Sequence, residues 1–214
     1  MDITQTIALT MGVAWASGIN LYAAIFMLGY LGSTGNIDLP PELQLLANPV
    51  VMLAAGVMYC IEFFADKVPG VDTGWDLIQT FIRIPAGAVL AAGAVGDVGT
   101  GSQLAAAITG GTLATGSHLV KAGGRVLINT SPEPFTNWFA SVGEDIAVIA
   151  GLWTALHHPL LFLLLLGLFI IFISWMLPRI WSGIRKVFAG LGRLAATRGS
   201  VTETKPPSLT NTRK

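Results

Sequence analysis

The chain has 214 residues, 53% of them hydrophobic and 11% charged, with twelve Lys and Arg balanced by twelve Asp and Glu. An ordinary soluble domain carries about 25% charged residues, so this composition cannot clothe a water-soluble surface of the size required. It excludes a conventional soluble domain and predicts an all-α polytopic membrane protein.

Crossing the hydrocarbon core takes about twenty mainly apolar residues. The first stretch, 7–31, follows "MDITQTIALTMGVAW", which has no basic residue ahead of its apolar run. Without the positive n-region of a signal peptide, the segment is expected to be retained. Residues 45–64, 77–95 and 160–177 also qualify by composition. Two more stretches are weaker. Residues 103–120 are apolar only through Ala and Gly, and 138–156 carry Glu144 and Asp145 near their start. Both are expected to insert only when buried among the other helices. A four-span alternative would leave 103–156 as one long loop with few charges, against the usual brevity of connections.

Loop charges support six spans, because Lys and Arg collect on the cytoplasmic side. The connections "GSTGNIDLPPEL", "GDVGTGS" and "LHHP" contain neither residue. The alternate connections hold Lys67, then Lys121 and Arg125, and eight of the twelve basic residues follow Pro178. Both termini are therefore expected in the cytoplasm, with a bacterial inner (plasma) membrane as the site. The transmembrane domain is expected to cover 1–190, and 191–214, rich in Gly, Ser, Thr, Pro and basic residues, to form a disordered cytoplasmic tail near the anionic leaflet.

Six spans divide into halves of about 5–97 and 101–188. "ASGINLY" at 16–22 resembles "ATGSHLV" at 114–120, which suggests two inverted three-helix repeats of the kind common in transporters.

Charge in so apolar a chain marks candidate sites. Glu62 and Asp66 lie four residues apart and share a helix face; Lys67 follows, and Pro69-Gly70 break the helix. Asp72 and Asp76 repeat the spacing at the start of the third span, where acids suit a helix N-terminus. Arg83, seven residues deeper, is costly in lipid unless paired, with Asp76 the expected partner. His118, Lys121 and Arg125 form a basic stripe at the inner end of the fourth span, where Gly123 and Gly124 are expected to loosen the helix. Glu144 and Asp145 enter the fifth span behind Asn137 and Ser141. Ser17 and Asn20 sit in mid-span beside Gly18 and would line a path if the helix unwinds there. Each group also has a structural reading: solvated interfacial acids, snorkelling cations, helix-packing hydroxyls. Cys60 is expected to be a small buried packing residue. His157-His158 lacks a third ligand nearby, so the metal question stays open.

The combination "ASGINLY", "EFFADKVPGVDTGWD" and "SHLVKAGGRVLINTSPEPFTNWFASVGED" resembles the DUF4126 family of bacterial and plant multi-pass membrane proteins, over about residues 5–188. That resemblance implies membrane placement and no chemistry, since the family name records an unknown function. A second similarity is to the Glu-x-Gly-Asp-Lys signature of cation and proton exchangers built from inverted three-helix repeats. Glu62, Asp66 and Lys67 approach it, but with three residues rather than two between the first two charges and no Gly, a departure that counts against metal coordination.

No Gly-x-Ser-x-Gly elbow, Walker loop or His-Glu-x-x-His motif is present, so no enzyme activity and no cofactor are expected. The leading expectation is movement of a small ion or solute through the charged clusters. The alternatives are a non-transporting membrane scaffold and a lipid-headgroup-binding protein. Expected partners are membrane lipids, the ion or solute, and a second copy in a homo-oligomer, with no nucleic acid.

Overall fold

The computed structural model describes residues 2–68, 70–129 and 134–201. Six long helices follow one another: α1 (Ile3–Ser33), α2 (Pro49–Ala65), α3 (Val71–Val95), α4 (Thr100–Ile128), α5 (Pro134–His157) and α6 (Pro159–Val201). Local chemistry sets their ends. Asp2 and Gln5 form a reciprocal capping box at the start of α1, with bonds of 2.7 and 2.9 Å. Proline opens α2, α5 and α6, where its missing N–H costs nothing.

The stretch expected as one span at 45–64 is interrupted. Pro41–Ala47 form a short 3-10 turn, and α2 begins only after Asn48. The residue before a proline is driven from helical to extended backbone, and Asn48 sits at φ −65°, ψ 129° with its side chain capping Val50 N at 2.9 Å. The turn and α2 meet at a bend of 66°. Conversely, α4 runs unbroken through Gly123 and Gly124 and ends at Asn129, because the packed helix on either side holds those glycines helical. The loop expected in the four-span alternative is absent, since 100–128 and 134–157 are helical. Residues 191–201, expected in the tail, continue α6; the rest, 202–214, lies outside the described residues.

α1, α3, α5 and α6 are long and apolar enough to cross a membrane, and the bent pair of 3-10 turn and α2 makes a fifth span if counted as one. The packing is that of a membrane-embedded protein: large apolar side chains such as Phe81, Phe139, Leu160 and Ile171 face outward, while Glu62, Asp76, Arg83 and Arg125 lie inside. α1 is the central element and packs against all the other helices.

Small residues bring the helices together, since in lipid close van der Waals packing replaces the hydrophobic drive. A Cβ on Gly18 of α1 would collide with the Ala114 carbonyl and Ser117 hydroxyl of α4, and one on Gly110 of α4 would collide with Ala91 of α3. The two similar motifs thus meet, yet they differ in conformation. α1 leaves helical geometry at Asn20 (φ −145°, ψ 94°), whereas α4 stays helical through His118.

Candidate functional site

The periodicity that puts Glu62 and Asp66 on one face of α2 also puts Lys121 and Arg125 on one face of α4, and the two faces oppose each other. Lys121 Nζ lies 3.0 Å from Glu62 Oε1 and 2.8 Å from Asp66 Oδ2. Its next acids are Glu144 at 3.5 Å and Asp76 at 3.8 Å. Arg125 Nη2 donates to Glu144 Oε2 at 2.8 Å and reaches Asp66 Oδ2 at 3.5 Å. Its Nη1 donates to the carbonyls of Asp66 (3.0 Å) and Asn137 (3.1 Å). One guanidinium therefore ties the end of α2 to α5. From α3, Arg83 pairs closely with Glu62 and stands 3.5 Å from Asp76. The expected order of its partners is reversed, because Asp76, seven residues back on the same helix, is nearly two turns away, whereas Glu62 approaches from the side.

Seven charged groups from four helices thus form one continuous network. Arg83, Glu62 and Arg125 are fully buried and Asp76 and Lys121 almost so, with Glu144 the one partly open member at 20% of its side-chain surface. Buried charge at this density survives only when paired and hydrogen-bonded.

Other sequence candidates sit around the network in distinct roles. Asp72 is buried apart from it, accepting the Gly70 and Thr73 amides (2.8 and 2.6 Å) and both contacts of Asn129 Nδ2 (2.8 and 2.9 Å). It locks the start of α3 to the end of α4. Asp145 turns away from its neighbour Glu144, taking Asn20 Nδ2 at 2.8 Å and the Tyr59 hydroxyl at 3.2 Å. Asn20 Oδ1 in turn accepts the Ala23 amide at 3.0 Å, so the side chain caps the second part of α1 as a new helix start. Ser17 donates to the Arg83 carbonyl at 3.0 Å. The helix stays regular at Ser17-Gly18 and leaves helical geometry at Asn20, where the amide side chain can replace a lost backbone bond.

His118 does not extend the basic stripe; its Nε2 meets Thr80 Oγ1 at 2.7 Å. Lys67 stays outside the network, with Nζ donating to the Phe63 carbonyl at 3.0 Å and lying 2.9 Å from that ring's centre. Burial lowers its pKa from the ordinary lysine value, against the pull of Asp145 and Asp66. Cys60 is exposed on the outer face of α2, not buried; the helix turns its charged side inward and leaves the thiol outside. His157 stacks on Trp153 at 3.8 Å in an exposed position. Among the described residues no three His, Cys, Asp or Glu are grouped to hold a metal ion.

Sequence reasoning did not single out Tyr59, Thr80 or Asn129 as site residues. Tyr59 lies three residues before Glu62 and shares its face, a usable signal; Asn129 gave none beyond its place at a helix end.

A cavity of about 430 Å³ opens among α1, α4, α5 and α6, with Lys121, Arg125 and Glu144 at its polar end and Trp15, Ile19, Ala147 and Phe169 among its walls.

A family model described as a domain of unknown function, DUF4126, matches residues 7–179. The chain belongs to the DUF4126 family. The match takes in every member of the network and ends inside α6, so the charged interior lies within the part of the chain that defines DUF4126. Comparison with curated proteins and with solved structures finds no match.

Proposed function

We propose that this DUF4126 protein moves a small ion or polar solute across a membrane, using the buried network as its site. The observation that carries the reading is convergence: acids and bases from α2, α3, α4 and α5 meet within 2.8–3.8 Å at Lys121, beside a cavity that reaches Glu144. Ionisable groups held inside a membrane protein are expensive, and function is the usual reason for them. The interrupted α1, with Asn20 closing the break, adds the kind of discontinuous helix on which transporter sites are built. Six helices divided between α1–α3 and α4–α6, with like motifs in contact at Gly18, support two inverted halves, and the basic connections support cytoplasmic termini.

The rival readings draw less support. Docking of a cytoplasmic partner on the charged turns needs those charges on the surface, and Asp72 and Asp76 are buried. Headgroup binding by the basic stripe needs free cations, and Lys121 and Arg125 are taken up by carboxylates. Purified protein in sealed vesicles, challenged with imposed gradients of H⁺, Na⁺, K⁺ and Cl⁻, tests the reading. Fluxes should exceed those of protein-free vesicles and collapse in Glu62→Gln. Vesicles indistinguishable from empty ones under every gradient would sink it.

A further inference from the structure

Counting charge in the network exposes an imbalance. Among the described residues four carboxylates, Glu62, Asp66, Asp76 and Glu144, share three cations, Arg83, Lys121 and Arg125. One negative charge is left over inside a membrane-embedded bundle, where an uncompensated ion is among the costliest features a protein can hold. A bridging water would satisfy a lone oxygen but would not remove the charge.

Geometry picks out the acid concerned. Glu62, Asp66 and Glu144 each have a cation within 3.0 Å. The nearest to Asp76 are Arg83 at 3.5 Å and Lys121 at 3.8 Å. Asp76 is 1% exposed, and its Oδ2, like Glu62 Oε2 and Asp66 Oδ1, has no hydrogen-bond partner among the described residues, so the longer cation distances are what set it apart. From the reading of the network as a transport site, we infer that Asp76 is its proton-binding residue, holding one exchangeable H⁺ that brings the buried cluster to neutrality. A metal ion would need several converging oxygens, and those around Asp76 are interleaved with Arg83 and Lys121.

The groups facing Asp76 are Glu62 and Asp66 from α2, Arg83 from α3, Lys121 and His118 from α4, and Glu144 from α5. His118 is the competing proton acceptor. Thr80 Oγ1 donates its single hydrogen to the Asp76 carbonyl at 2.9 Å, so His118 Nε2 at 2.7 Å must be the donor to Thr80. The ring is then neutral with Nδ1 bare, and Nδ1 is buried with no partner among the described residues. A second proton there would add positive charge to a buried ring that already stands beside Arg83 and Lys121. When the proton leaves Asp76, Arg83 and Lys121 gain a fourth full carboxylate to satisfy, which couples proton loss to rearrangement of ion pairs that join α2, α3, α4 and α5.

The test is pH-difference infrared spectroscopy of the full chain in lipid vesicles, with aspartate carboxyls labelled by carbon-13, run beside proton and alkali-cation fluxes. One protonated-carboxyl band per chain is expected, shifted by the aspartate label and absent in Asp76→Asn. Asp76→Glu should retain the band but lose its response to the label, whereas Asp66→Glu should retain both. Retention of the wild-type elution profile shows which variants have folded. A band that ignores the aspartate label, or that still responds to it in Asp76→Glu, overturns the assignment. If no band is found while alkali cations cross independently of pH, the proton assignment falls and the transport reading stands. A band at Asp76 with no flux of any ion supports the proton site and refutes transport.

Discussion

Replacing Lys121 with Met keeps the length and flexibility of the side chain while deleting the charge at the centre of the network. In the native protein that ammonium lies 2.8, 3.0, 3.5 and 3.8 Å from four acids. With Asp76 protonated, loss of the ammonium leaves Glu62, Asp66 and Glu144 facing only Arg83 and Arg125, and one buried negative charge goes uncompensated. Breaking a buried ion pair by removing one partner costs about 3–5 kcal/mol, because the other charge remains desolvated. For a chain of this length that corresponds to a melting temperature lower by roughly 6–20 °C on the scale of soluble domains. Neutralising the charged acid nearest to Lys121 restores the balance, so Lys121→Met/Asp66→Asn should recover about 1–3 kcal/mol, a coupling typical of groups in one network. Thermal unfolding of the four proteins in lipid nanodiscs, followed by tryptophan fluorescence, gives the full cycle. If Lys121→Met melts within about 2 °C of the native protein and Asp66→Asn adds nothing to it, the charges are solvated and the balance argument is wrong.

Gly18→Ala should destabilise by about 1–3 kcal/mol through overpacking against Ala114 and Ser117, while Gly167→Ala, which meets no atom within 4 Å, should be neutral or gain up to about 1 kcal/mol; parallel melting curves separate them. Asn129→Ala removes the two bonds to Asp72 and leaves a buried carboxylate short of donors, a loss of about 1–3 kcal/mol; amide hydrogen exchange should quicken at the start of α3 and the end of α4, and unchanged protection there would refute the lock. Asn20→Ala deletes both the Ala23 cap and the bond to Asp145, so it should cost about 1–2 kcal/mol and reduce flux, whereas Asn20→Asp, which keeps the cap, should recover protection of the Ala23 amide without recovering the bond to Asp145.

The six helices were readable because apolar run length and turn chemistry are local properties. Proline at the starts of α2, α5 and α6 and glycine before α3 mark boundaries that no tertiary contact has to supply. The break at Asn48 is equally local, but a count of apolar residues runs straight across Pro49 and does not register it. Tertiary features behaved differently. The spacing of Glu62 with Asp66 and of Lys121 with Arg125 fixes which side chains share a face, but not which faces meet. That Arg83 prefers Glu62 to Asp76, and that Asp145 leaves the network for Asn20 and Tyr59, follows from helix orientation alone. Cys60 misled because its apolar neighbourhood in sequence is the same whether a helix faces protein or lipid.

The likeness of "ASGINLY" and "ATGSHLV" gains a physical meaning from their contact. Each motif supplies a small residue where α1 and α4 cross, and each places a polar side chain two residues after its glycine. In α4 that side chain, His118, bonds sideways to α3 and the helix continues. In α1 it is Asn20, short enough to cap its own backbone, and the helix breaks. α4 is thus regular where α1 is interrupted. A movement that separates α1 from α5 at this joint has to release Asn20 from Asp145, and Glu144, the adjacent residue, would carry Arg125 and Lys121 with it. Whether Asp76 is charged or protonated changes the cost of that step without touching the joint itself.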